Sequence, residues 1–154
     1  MLKNYTSQVS ASRSVAYIEA CLTKNGARQI LKEYDHNGQI DSICFIVPVD
    51  GVDMPFKLPA RISECERVLR ANISRRARPE TIKKIPKQAV RTAWKILSDW
   101  VEAQMAMIEL AQVELTEVFM PYIYNIQLKQ TYFEMIKGKG FKALLPGNVE
   151  VNNG

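Results

Sequence analysis

The sequence predicts an α+β fold: an N-terminal helix, a three-stranded antiparallel meander, a second helix, then a long C-terminal helix with one or two short helices. Three observations carry this. Two hairpin signals, Asp35-His36-Asn37-Gly38 and Asp50-Gly51, punctuate a stretch rich in β-branched and aromatic residues. Apolar residues recur at spacings of three and four on both sides of that stretch. The chain has 154 residues, 47% of them hydrophobic and 24% charged, which suits one domain that builds its core without disulfides or metal.

Leu2 to Val9 reads as a short strand or an extended arm. Ser10 or Ser12 then supplies the side-chain acceptor that a helix start needs, and Val15, Ile18 and Leu22 mark its apolar face. Gly26, after Asn25, suits the left-handed position that ends a helix. Arg28–Tyr34, Ile40–Val49 and Val52–Leu58 read as the three strands. Pro48 and Pro55 cannot donate ladder hydrogen bonds and are expected at strand ends or edges, and Pro59 closes the sheet.

From Arg61 to about Ala71 the pattern turns helical, with Ile62, Cys65 and Leu69 on one side. Asn72 to Ile85 is polar and basic and contains Pro79, so it is expected to be a loop. Pro86 is then expected in the first turn of a long helix reaching Gln112. Val90, Ala93, Trp94, Leu97, Val101, Met105, Ile108 and Ala111 give this helix its stripe. At about 40 Å it is long for such a chain. Part of its face is therefore expected to meet a second copy in a homo-oligomer. Thr116 is expected to cap a short helix ended by Pro121, and Leu128–Ile136 to form a last helix stopped by Gly138 and Gly140. One domain over 1–145, with an αβββ part at 1–60 and a mainly helical part at 61–145, precedes a tail at 146–154 expected to be mobile.

Charge is the lopsided feature. Between Arg61 and Lys95 stand eleven basic and three acidic residues, a net of +8, whereas the rest of the chain has ten basic and thirteen acidic, a net of −3. Arg67 and Arg70 share a face of the second helix. Lys84, Lys87, Arg91 and Lys95 form a stripe on the long one, with Arg75, Arg76, Arg78 and Lys83 between. These ten residues are the candidate site for nucleic acid or another anion, because adjacent cations release the counterions condensed on a phosphate backbone. Solvation, or pairing with a neighbouring subunit, explains the same charges more blandly.

Other chemistries have little support. His36 is the only histidine and falls in a hairpin turn, which excludes most histidine-based catalytic and metal arrays. Cys21, Cys44 and Cys65 are widely spaced on apolar faces and are expected to be reduced and inert. Asp50 with Asp53, and Asp99 with Glu102, are carboxylate pairs that turn chemistry and an exposed helix face explain. Gly138-Lys139-Gly140-Phe141 lacks the phosphate-binding loop pattern. Tyr122, Tyr124, Tyr132 and Phe133 have the stacking chemistry for bases but the spacing of core or interface residues. No catalytic residue, metal or cofactor is assigned. The polar segment Met1–Ser12 lacks the apolar run of a signal peptide, so the expected setting is cytoplasmic, with no membrane contact.

Four stretches together resemble a group of small hypothetical proteins of bacteriophages, prophages and related mobile elements. They are Asn4-Tyr5-Thr6, Met54-Pro55-Phe56-Lys57-Leu58-Pro59, the block from Ala93-Trp94-Lys95 through Asp99-Trp100 to Gln104, and Glu117-Val118-Phe119-Met120-Pro121-Tyr122. The resemblance covers most of the chain and implies a viral or mobile-element protein at work in a bacterial cytoplasm, with no catalytic or binding residue to carry over. The order helix, three strands, helix is also that of double-stranded RNA-binding domains, a likeness of order alone. The leading expectation is a non-enzymatic accessory protein that binds nucleic acid through the Arg61–Lys95 segment. The alternative is a counter-defence or host-interaction protein that binds a host protein or sequesters an anionic nucleotide.

Overall fold

A computed structural model describes residues 1–147. Helix α1 spans Ala11–Lys24 and starts at Ser10, whose Oγ accepts from the Arg13 N–H at 3.2 Å. Asn25 closes it, and Gly26 takes the left-handed conformation at φ 101° that turns the chain toward the sheet. Strands β1 (Gln29–Tyr34), β2 (Ile40–Val49) and β3 (Val52–Pro59) form an antiparallel sheet in that order. In the first hairpin the Asp35 carboxylate accepts from the Asn37 and Gln39 N–H groups. In the second, Asp50 and Gly51 both have positive φ, as a two-residue turn matched to strand twist requires. Pro48 lies next to the end of β2, and Pro55 lies in the edge strand β3.

Alternation along the strands sets the core. Phe45 sits opposite Ile30 on one side and Phe56 on the other, with Ile43 opposite Leu58, so these side chains share one face. Val15, Ile18 and Leu22 of α1 and Cys65 of α2 (Ile62–Ala71) join the same buried cluster. So do Ala89, Val90, Ala93, Trp94, Val101 and Met105 of α3 (Pro79–Glu109). Trp94 is fully buried, and its indole N–H donates to the Ile40 carbonyl at 3.2 Å. Phe45 and Phe56 stack at 5.1 Å, and Phe119 meets both rings, and that of Trp100, edge-on. Trp100 also packs on Tyr122. The apolar face of the long helix is thus largely covered within the chain, by α1, α2, the sheet and the Phe119 region.

The structure corrects several sequence expectations. The segment expected as a loop up to Ile85 is helical from Pro79, so α3 has 31 residues and runs about 46 Å. Pro79, not Pro86, takes the first helical turn, and Pro86 lies inside the helix. An internal proline costs about 3 kcal/mol. The helical turn that precedes it contains Ile85, which is buried. The helix ends at Glu109, short of Gln112.

Residues 2–9 form tight turns rather than a strand or extended arm, with Tyr5 N–H bonded to Leu2 O and Ser7 N–H to Asn4 O. Helix α4 (Leu115–Phe119) starts at Glu114, placing Thr116 inside it, and Pro121 falls in the 3-10 turn Met120–Tyr122. The expected helix from Leu128 is divided. Tyr124–Asn125 (β4) pairs with Gln130–Thr131 (β5), and α5 spans Tyr132–Lys139. The reason is a capping box: Thr131 accepts from the Glu134 N–H while the Glu134 carboxylate accepts from Thr131. Gly138 is inside α5, and Gly140, at φ 89°, ends it. Of the expected tail at 146–154, residues 148–154 lie outside the described residues. No helix of the described residues is long and apolar enough to cross a membrane.

Candidate nucleic-acid interface

The ten basic candidates fall into two groups. Arg75, Arg76 and Arg78 stand on the loop between α2 and α3, and Lys83, Lys84 and Lys87 on the first turns of α3. All six are exposed and have no ion-pair or hydrogen-bond partner for their side chains among the described residues. The loop itself is ordered: Ser74 Oγ accepts from the Arg76 N–H at 3.2 Å, and its carbonyl accepts from the Ala77 N–H at 3.0 Å. Only Glu80 opposes these cations within 75–87, which leaves six basic residues against one acidic. Lys83 and Lys87 are four apart and Lys84 and Lys87 three apart, so they neighbour one another on the helix surface.

The other four are engaged. Arg67 pairs with Glu64 at 3.0 Å and Arg70 with Glu66 at 2.7 Å, both along α2. Arg91 donates through Nε to the Ser7 carbonyl at 3.1 Å and through its terminal nitrogen to Gln88 Oε1 at 2.6 Å. Lys95 pairs with Asp99 at 2.8 Å.

Arg91 and Lys95 belong to a tether for the N-terminal arm that sequence reasoning missed. Gln88 donates to the same Ser7 carbonyl, Thr92 Oγ1 donates to Asn4 O, and Asn4 Nδ2 and Lys3 Nζ both reach Asp99. Partial burial of Asp99 opposes its ionisation, but hydrogen bonds from Lys95, Asn4 and Lys3 outweigh this and hold its carboxyl at about 2. The four-residue spacing of Lys95 and Asp99 was a readable hint. The partners on the arm, some ninety residues away, were not. Glu102, its companion in the sequence reading, takes no part in this tether.

A second polar cluster lies on the sheet face away from the core. The Glu33 carboxylate accepts from Ser42 at 3.2 Å, Cys44 at 3.4 Å and Lys57 at 3.0 Å, and the Lys57 ammonium sits 5.0 Å from the Tyr124 ring centroid. The hydrogen bond from Lys57 does most to lower the Glu33 pKa. Burial, then the neighbouring Glu33 charge, push the Cys44 thiol up to about 11, so it stays protonated and weakly nucleophilic at neutral pH. Cys65 is likewise raised, by burial. These partners bond one another across the three strands. His36 lies in its exposed turn, and no group of three His, Cys, Asp or Glu residues among the described residues could hold a metal ion.

Compared with known proteins, the chain matches no family model, no curated protein and no solved structure.

Proposed function

We propose that this protein binds nucleic acid through the α2–α3 loop and the first turns of α3, as a non-enzymatic accessory protein of a phage or mobile element. The setting rests on the sequence resemblance. The binding reading rests on one observation: six exposed cations without partners lie within thirteen residues, while Arg67, Arg70, Arg91 and Lys95 on either side are bonded within the protein.

This arrangement has a cost in the free protein. Like charges three or four apart on a helix destabilise it by about 0.2–0.5 kcal/mol per pair. Arg78, at the N-cap of α3, also opposes the helix dipole. A polyanion relieves both effects and gains entropy from released counterions. Contacts of this kind are to phosphate, so the expected affinity is sequence-tolerant and salt-sensitive.

Fluorescence polarisation with labelled single-stranded DNA, duplex DNA and RNA tests the proposal. The expected result is a Kd of about 1 µM or tighter at low salt, lost when Arg75, Arg76 and Lys87 are all changed to Glu. Equal binding by that variant, or no binding at low salt, contradicts it and favours a protein partner or a small anionic nucleotide.

A further inference from the structure

Beside the free cations lies a cleft of about 360 Å³, bounded by the N-terminal arm, the end of α2 and the start of α3. Its walls are largely apolar, formed by Leu69, Ile73 and Ile85 together with Tyr5, which is 40% exposed. Asn72, Thr81 and Gln88 bring polar groups to the lining, and Gln88 is already bonded to Ser7 and Thr92. Neither the Asn72 amide nor the Thr81 hydroxyl has a hydrogen-bond partner among the described residues. Lys84 completes the lining from the α3 side. Thr81, Lys84, Ile85 and Gln88 follow spacings of three, one and three, so one face of α3 forms this wall. Lys87, three residues on from Lys84, is its neighbour on the helix surface.

We propose that this cleft holds an unstacked base of a single-stranded nucleic acid whose phosphates lie on Lys84, Lys87 and the loop arginines. The proposal rests on the nucleic-acid reading above and sharpens it to single strands. A base has an apolar π-face for the Tyr5 ring and the aliphatic walls. It also has a polar edge for the Asn72 amide, which offers both a donor and an acceptor. Its own backbone then places phosphate beside the rim cations. An acyl chain would satisfy the walls but leave the amide and hydroxyl facing hydrocarbon, and would bring one anionic group to a surface with six free cations. A base paired within a duplex stays in its stack and does not reach the cleft, so a duplex makes the phosphate contacts alone.

The test compares a labelled 20-mer single strand with the duplex of the same sequence, by fluorescence polarisation at one low salt concentration. The expected result is tighter binding of the single strand. Y5A lowers that affinity about 5- to 100-fold, Y5F keeps it, and duplex affinity is unchanged in both. Asn72 is exposed at the end of α2, so N72L should weaken single-strand binding selectively even if Y5A loosens the arm. If single strand and duplex bind alike, or if Y5A and N72L leave single-strand binding intact while the Arg75, Arg76 and Lys87 reversal abolishes it, the surface contacts phosphate and the cleft holds no base. If neither probe binds wild type, the nucleic-acid reading fails, and this inference fails with it.

Discussion

The first turns of α3 and the turns that follow them carry the same kind of side chain in opposite circumstances. Lys83, Lys84 and Lys87 stand exposed and unpartnered. One and two turns on, Arg91 is bonded to the Ser7 carbonyl and Lys95 to Asp99, where they hold the N-terminal arm. In sequence Lys84, Lys87, Arg91 and Lys95 form one stripe; in the structure they divide into a surface open to a ligand and a structural clamp. A run of basic residues therefore says where charge is, and only its partners say whether that charge is available.

The division predicts effects of different kinds and sizes. Reversing Arg75, Arg76 and Lys87 to Glu should lower nucleic-acid affinity by about 100-fold or more, since it removes three phosphate contacts and adds three repulsions. The thermal midpoint should not fall, because none of the three holds the fold. On the clamp side, Asp99→Ala should cost about 1–2 kcal/mol of stability, as Lys95, Lys3 and Asn4 lose a partly screened common acceptor. It should also make the arm more sensitive to limited proteolysis, with affinity for duplex changed by less than about 3-fold.

The clamp also has a pH signature. The Asp99 carboxyl is depressed from 3.8 to about 2. The unfolded chain therefore takes up its proton first as pH falls. Stability from this group is whole above about pH 5 and is lost as pH falls through about 2. Urea melts of wild type and Asp99→Asn should differ at pH 5 and converge near pH 2. A constant gap would show that the tether does not depend on the carboxylate. The smallest effect is expected at Arg67 and Arg70, exposed partners in pairs along α2. Changing either to Ala should alter stability by about 0.5 kcal/mol or less, read from denaturant midpoints.

Much of the architecture was legible before the structure, and the reasons are local. Asp35-His36-Asn37-Gly38 and Asp50-Gly51 fixed the meander because few backbone conformations suit those turns. Ser10 and Gly26 bounded α1 by the same kind of local chemistry. The failures arose where two local signals competed. Pro79 and Pro86 both suit a helix start, and local chemistry does not choose between them. Leu128 continued an apolar pattern, but the Thr131–Glu134 capping box set the start of α5.

The candidate site was legible as charge but not as an arrangement. Nothing in the spacing of Arg91 and Lys95 pointed to Ser7 or Asn4. Nor did it bring Tyr5 beside Asn72 and Lys84, since the arm meets α3 across roughly eighty residues of chain. Glu33, Ser42, Cys44 and Lys57 meet only through strand register.

The salt dependence of single-strand affinity tests the division of α3 most directly. For wild type, the slope of log K against log salt should approach about −4 if all six free cations engage phosphate. Arg91→Gln with Lys95→Gln should keep that slope, whereas Arg75→Gln with Arg76→Gln and Lys87→Gln should make it shallower by about 2. A slope that falls as much for the clamp pair as for the free cations would contradict the account.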